Sequence, residues 1–154
     1  ITLIDAQRNL KSVSIYINKN NKGTCKELGK ALARKGGTIN KLILDSRIIP
    51  PSFLTSLVKL KNISLFNYED YSELQQYLAI SEFPDLEYLY ANKLCFKELA
   101  MIIEKTSGNI FYFEARNKNA RDVGMLINVI ANNCPKIRTL CIDNEPKYFK
   151  HVKP

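Results

Sequence analysis

Two cysteines, Cys134 and Cys141, lie seven residues apart in the segment NNCPKIRTLCIDN. Thiols at short spacing can bind zinc, form a disulfide or act as nucleophiles. The other two, Cys25 and Cys95, lie far upstream, so the set matches neither a CxxC zinc pair nor a dense disulfide framework. The one histidine is His151, near the end of the chain, so no basic side chain of that kind lies beside a thiol. We therefore interpret the sulfur as structural, expect no metal and no cofactor, and expect an intracellular compartment, cytoplasmic or nuclear.

Other catalytic patterns are missing from the sequence. There is no GxGxxG or Walker motif, no HExxH and no G-x-S-x-G. The paired carboxylates Glu69 and Asp70 fall in a polar stretch that is typical of a solvated turn. No apolar run approaches the roughly 18 residues that a membrane span requires. These absences lead us to predict that the chain is not an enzyme and has no membrane partner.

A recurring apolar pattern organises the chain. The frame L-x-x-L-x-L, or a close apolar equivalent, begins at residues 10, 39, 60, 86, 110 and 137, so the repeat averages about 25 residues. The alternation at the end of each frame is typical of a strand with one buried side. We predict strands near 10–17, 39–45, 60–66, 86–91, 110–115 and 137–142.

Helices are predicted between the strands. Phe96, Leu99 and Ile103 have the spacing of one helix face, and similar patterns precede the other frames. Gly36 and Gly37 follow the first of these helices and predict a left-handed stop. We expect one α/β domain over 1–154, and we interpret it as a fragment of a longer array.

The order strand, helix and then Cys-Pro just before the next frame, as at Cys134, resembles the cysteine-containing leucine-rich repeats of F-box proteins over residues 10–144. The resemblance implies a solenoid of about six repeats, with a parallel concave sheet, convex helices and a buried thiol at Cys134. It also implies that a protein substrate binds the concave face and that an F-box outside the chain joins a ubiquitin-ligase adaptor. The asparagine or cysteine that the family places ninth in each repeat is met only by Asn18. A leucine-rich-repeat scaffold or regulator without an F-box is the alternative.

Alternate residues of the predicted strands point out of the sheet, while the inward positions, Leu89 and Leu140 among them, should be buried in equivalent places. Exposed tyrosines beside arginine and acidic groups are typical of protein-binding hot spots. We predict that this surface binds a protein partner. The residues assigned to it are Tyr16, Phe66, Tyr88, Tyr90, Phe111, Tyr112, Glu114 and Arg116.

The chain carries a formal net charge of +8, and a basic stripe contributes to it. Lys26, Lys30 and Arg34 follow one another at i, i+4 and i+8 on the first predicted helix. Nucleic-acid modules interleave basic and aromatic residues, and this stripe has no aromatics. We interpret it as a solvated helix face and expect no nucleic-acid partner. A basic surface that binds membranes or nucleic acid stays open as an alternative.

Overall fold

The computed structural model describes residues 3–16, 25–45, 49–66, 71–117 and 121–143. The strands β1 to β6 are Ser12–Ile15, Lys41–Asp45, Asn62–Phe66, Tyr88–Asn92, Tyr112–Arg116 and Thr139–Asp143. The helices α1 to α5 are Leu3–Ala6, Lys26–Arg34, Tyr71–Ala79, Phe96–Glu104 and Val123–Asn133, and a 3₁₀ helix, Pro51–Ser56, lies between β2 and β3. Asn18, Glu69, Asp70 and His151 lie outside the described residues.

The six strands form one sheet in which every pairing is parallel and the strand order follows the chain. Crossover connections between parallel strands are right-handed. Because each new strand of this sheet pairs on the same side of the previous one, all the connecting helices lie on one face of the sheet. Alternate strand residues are buried in a single core with the apolar residues of those helices. The predicted α/β fold, with a parallel sheet alternating with helices, is confirmed. We call the opposite face of the sheet the open face.

The apolar frame is in register across the sheet. Each strand begins two residues after the first position of its frame. The fourth frame positions pair directly from strand to strand: Val13 with Leu42, then Ile63, Leu89, Phe113 and Leu140. Residues at the same frame position thus lie side by side across the sheet, which is the arrangement expected of repeating units.

A hydrogen-bond motif repeats with the same period. The carbonyl of Lys11 accepts the N–H groups of both Asn40 and Lys41, at 2.8 and 3.1 Å. The second frame position of the next four repeats does the same for the repeat that follows it. The carbonyls concerned are those of Asn40, Lys61, Glu87 and Phe111. Successive units therefore join through the same local geometry five times.

The row of fourth frame positions is buried to different degrees along the sheet, from β1 to β6. Leu89 is 0% exposed, as predicted, but the prediction that Leu140 is buried is wrong, because it is 51% exposed. Leu140 belongs to β6, which has a neighbouring strand on one side only among the described residues. At the other end, Val13 is 9% exposed, and Ile4 and Leu10 pack against the core beside it.

The glycines at the end of α2 have a different role from the one predicted. Neither Gly36 nor Gly37 has a positive φ, so the expected left-handed stop is wrong. A Cβ atom on Gly36 would lie 1.9 Å from the backbone oxygen of Ser56, whereas one on Gly37 would meet nothing within 4 Å. Gly36 is needed because the end of α2 passes against the 3₁₀ helix.

An asparagine side chain links two neighbouring units. The side chain of Asn117, at the eighth position of its repeat, donates to the carbonyl of Leu94 at 3.1 Å. The frame pattern, which looks for asparagine at the ninth position, does not find this residue.

Candidate functional site

Rings and polar groups are concentrated on part of the open face. The outward residues of β1 and β2 are mostly serine, lysine and aspartate, whereas those of β3 to β5 include several rings. Four of these form what we call the aromatic patch: Phe66, Tyr88, Tyr90 and Tyr112. All four are half-buried, so each presents part of its ring to solvent. Of the eight residues predicted for this surface, the structure therefore brings four together through contacts between their rings.

The aromatic patch consists of two packed pairs. The rings of Tyr88 and Tyr112, which are register partners on β4 and β5, stack with centroids 4.3 Å apart and planes 10° from parallel. Phe66 and Tyr90 approach to 5.1 Å with planes tilted by 44°. Rings that pack on one another lose side-chain freedom before any partner arrives. The patch is thus a pre-ordered apolar surface with phenolic groups at its edge.

Glu114 supports the patch from below and does not stand out from it. It was predicted to face a partner, yet its residue is only 7% exposed. One carboxylate oxygen accepts the phenolic O–H of Tyr112, and the other accepts Nε of Arg116 at 2.6 Å. Both oxygens are occupied, so the role of Glu114 is to hold its neighbours in place.

The titration behaviour of this cluster follows from those bonds. The hydrogen bond from Tyr112 and the nearby guanidinium of Arg116 lower the pKa of Glu114, although burial acts in the opposite direction. The same hydrogen bond raises the pKa of Tyr112, and Glu114 raises the pKa of Arg116. Tyr112 therefore stays a neutral donor and Glu114 an acceptor across the physiological range.

Arg116 reaches solvent at the carboxyl-terminal edge of the patch. Its side chain is about half exposed, and Glu114 is bonded to it only through Nε. The terminal guanidinium nitrogens have no hydrogen-bond partner within the described ranges. Asp143 lies beside it in register on β6. Arg116 is thus exposed next to the patch, and its assignment to a binding surface stays a prediction.

Two predicted residues lie apart from the aromatic patch. Tyr16 follows β1 and is 68% exposed, two strands away from the nearest ring of the patch on β3. Phe111 precedes β5 and is 40% exposed. It lines a separate pocket at the amino-terminal edge of the sheet, with Glu87, Asn109, Lys136 and Arg138, which we call the edge pocket. Strict alternation would place the adjacent residues Phe111 and Tyr112 on opposite sides of a strand, so their joint assignment to one surface does not follow from it. Phe111 is exposed because it lies before the strand begins.

The basic stripe on α2 is largely neutralised by its neighbours. Lys30 pairs with Glu27 at 2.9 Å. Arg34 forms two hydrogen bonds of 2.8 Å with the carboxylate of Asp5, which raise the pKa of Arg34. The three residues do share one helix, but charges paired in this way present a weaker field to a phosphate ligand.

No disulfide joins the four cysteines in the described structure, and burial is the largest cause of the pKa shifts of Cys134 and Cys95. Burial raises the pKa of Cys134 to about 11, in agreement with the expected buried position, and it also raises the pKa of Cys95. A raised pKa leaves little thiolate at neutral pH. In the part of the chain that the structure describes, there is no group of three or more His, Cys, Asp or Glu residues placed to hold a metal ion.

Sequence reasoning missed one buried carboxylate. Glu98, in the first turn of α4, is 0% exposed and accepts a hydrogen bond from Gln75 of α3 through Oε1. Its Oε2 has no partner among the described residues. In the sequence Glu98 lies between Lys97 and Leu99 and looks like an ordinary polar helix position. Only the packing of α3 against α4 encloses it.

No family model matches this chain, and no curated protein or solved structure is detectably similar to it. Among the described helices, none has both the length and the apolar character that crossing a membrane would require.

Proposed function

We propose that the chain is a leucine-rich-repeat solenoid whose open face recognises a protein partner. The repeat character is supported by the register of the apolar frame and by the five carbonyls that each accept two N–H groups from the next unit. Solenoids of this kind bind partners on extended surfaces formed by successive units.

The observation that carries the proposal is the aromatic patch. Four rings remain partly exposed on one face and are held in two packed pairs, with a buried carboxylate bonded to Tyr112. A contiguous apolar surface of this kind usually marks a contact site. Tyrosines combine a large contact area with a terminal hydrogen-bonding group, which is why they are enriched among residues that dominate binding energy.

The size of the face limits what the chain contributes. Six strands about 4.8 Å apart span roughly 24 Å, and a strip about 12 Å wide gives on the order of 300 Å². A standard protein interface buries about 800 Å² per partner. The open face would therefore supply one part of a larger binding surface.

By resemblance alone, the partner would be the substrate of an F-box ubiquitin ligase, with the repeats acting as its receptor. A repeat scaffold or regulator without an F-box would use the same open face in the same way. The helix face is the less favoured surface, because Lys30 and Arg34 are already paired with acidic neighbours.

The proposal is tested by comparing two sets of variants. The patch set is Tyr88→Ser and Tyr90→Ser, which remove rings but keep Tyr112 and Arg116, the two hydrogen-bond partners of Glu114. The helix set is Lys26→Gln and Lys30→Gln, which change exposed residues on α2. Variants whose thermal stability matches that of the unmodified chain are immobilised and exposed to a lysate of the source organism. Partners are then quantified by mass spectrometry.

We expect each patch variant to weaken partner capture by about tenfold or more, as loss of an interface tyrosine commonly does. The helix set should capture the same proteins at the same level as the unmodified chain. Loss of the partner in the helix set, with retention in the patch set, would transfer the function to the basic surface.

A further inference from the structure

The edge pocket adjoins the aromatic patch but is built from different residues. Glu87, Phe111 and Arg138 occupy the same slot on three successive repeats. The N–H of Phe111 donates to Glu87 at 2.9 Å, and that of Arg138 donates to Phe111 at 2.8 Å. Their backbones are therefore about 4.8 Å apart from one to the next. The row opens into a cavity of about 400 Å³, which Asn109 and Lys136 also line.

The charges of the pocket are distributed unevenly along this row. Lys136, which precedes β6, donates to the side-chain oxygen of Asn109 at 2.7 Å, so its ammonium lies beside the segment that precedes β5. Arg138 is exposed and has no hydrogen-bond or ion-pair partner in the ranges that the structure describes. The one lining carboxylate, Glu87, precedes β4 and so lies on the other side of Phe111 from Arg138. Its Oε1 is 4.0 Å from Nζ of Lys61. Both lining cations thus come from the segment before β6, whereas the one lining carboxylate comes from the segment before β4.

We infer that the edge pocket receives a glutamate or aspartate side chain of the protein partner, an inference that rests on the proposed function. A guanidinium can hold a carboxylate through two parallel hydrogen bonds, and the ammonium of Lys136 has further donors besides the one given to Asn109. The exposed part of the Phe111 ring offers an apolar wall for the methylene groups that precede the carboxylate.

The position of the pocket also fixes where the acid lies in the partner. Phe111 directly precedes Tyr112, whose ring belongs to the aromatic patch. A segment that packs an apolar residue on the patch reaches the pocket within about one to three residues of extended chain, at roughly 3.3 Å each. The partner segment thus carries an apolar or aromatic residue followed or preceded closely by an acidic one.

The inference is tested by selecting a random 12-residue peptide library, displayed on phage, against the purified chain. We expect selected peptides to combine an aromatic or large apolar residue with Asp or Glu within three positions. A synthetic peptide of the selected sequence should lose about tenfold in affinity when its acidic residue is replaced by Gln or Asn. Arg138→Glu should bind the acidic peptide at least tenfold more weakly and should select peptides with Lys or Arg in its place.

Lys97→Glu is the matched control, because Lys97 is an exposed cation on α4 and the substitution changes the net charge by the same amount. It should leave both the affinity and the selected sequences unchanged. An equal loss of affinity in Lys97→Glu would overturn the inference, since the effect would then reflect net charge and no specific pocket.

The remaining outcomes separate this inference from the proposed function. Peptides that depend on Tyr88 but show no acidic preference would overturn the edge pocket and leave the open face as the binding surface. A tenfold preference for a phosphoserine version over the acidic peptide, lost in Arg138→Glu, would replace the carboxylate by a phosphate and so overturn it as well. A library that yields no binder, or binders indifferent to Tyr88→Ser, would overturn both.

Discussion

β4 and β6 carry the same apolar frame but differ in how much of it they bury. Leu89 and Leu140 occupy the same slot and lie in one row of the sheet, yet Leu89 is 0% exposed and Leu140 is 51% exposed. Their sequence patterns are equivalent, so the difference comes from their neighbours. β4 has a strand on each side, whereas β6 has one on one side only among the described residues. A single strand and helix cannot enclose their own apolar residues, so an end strand depends on whatever else covers it.

The largest expected effect compares these two leucines directly. Leu89→Ala should lower the free energy of unfolding by about 2 to 5 kcal/mol, because it removes a fully enclosed side chain and leaves a cavity. Leu140→Ala should cost about 1 kcal/mol, since half of that side chain already contacts water. Both are measured by urea denaturation of the purified chain. Equal losses would show that β6 is covered in solution and that the comparison between the strands fails.

A smaller effect is expected from a substitution that stabilises α5, the helix before β6, and leaves the apolar frame of β6 unchanged. Gly124 lies in the first turns of α5, and a Cβ atom there would meet nothing within 4 Å. Gly124→Ala should raise the free energy of unfolding by about 0.5 kcal/mol, because alanine restricts the unfolded chain more than glycine does. Gly36→Ala is the opposing control and should destabilise the chain, because its Cβ would overlap the backbone of Ser56. A gain in stability for Gly36→Ala would contradict the close approach.

The smallest expected effect is a pH dependence of stability that arises on β5 and not on its neighbour β6. Glu114 on β5 and Cys141 on β6 are register partners, and the pKa of Glu114 is lowered in the folded chain, first by the hydrogen bond from Tyr112. Its contribution is present above the ordinary glutamate pKa of 4.5 and is lost as the pH falls from there through the lower folded-state value. We expect less than about 1 kcal/mol, because Arg116 and Tyr112 are partly exposed to solvent.

Glu114→Gln should therefore reduce the loss of stability between about pH 5 and pH 3, measured from denaturation midpoints at each pH. Cys141→Ser should leave the shape of that pH dependence unchanged. A Glu114→Gln variant that loses stability with acid as steeply as the unmodified chain would show that the carboxylate contributes no pH-dependent stabilisation.

The sequence predicts the sheet well because its period depends on local pattern alone. Each strand lies within or beside its predicted range, since the frame positions alternate and burial on one side requires that alternation. The outward tyrosines of β4 follow from the same parity. The frame does not show how much neighbouring units bury each of its positions. For this reason the predicted burial of Leu140 is wrong.

The remaining differences arise from side-chain contacts within a strand and from packing between units. Glu114 is an outward residue by parity but is buried, because Tyr112 and Arg116 on its own strand fold over its carboxylate. Glu98 is enclosed by α3 packing against α4, and Gly36 is required by the approach of the 3₁₀ helix. Each involves residues about 20 or more apart in the chain or side-chain conformations that a one-dimensional pattern does not contain.

The strand order described above also bears on how the chain folds. Each strand pairs only with strands that are adjacent in the chain, so no pairing waits for distant segments to meet. Loop-closure entropy is then nearly the same for every step, and structure can start at any adjacent pair and extend outward. Parallel sheets usually form slowly because their contacts are distant in sequence, but this one has comparatively short-range pairings. Among the described residues, the central strands have a neighbour on each side, and we expect folding to begin at those pairs.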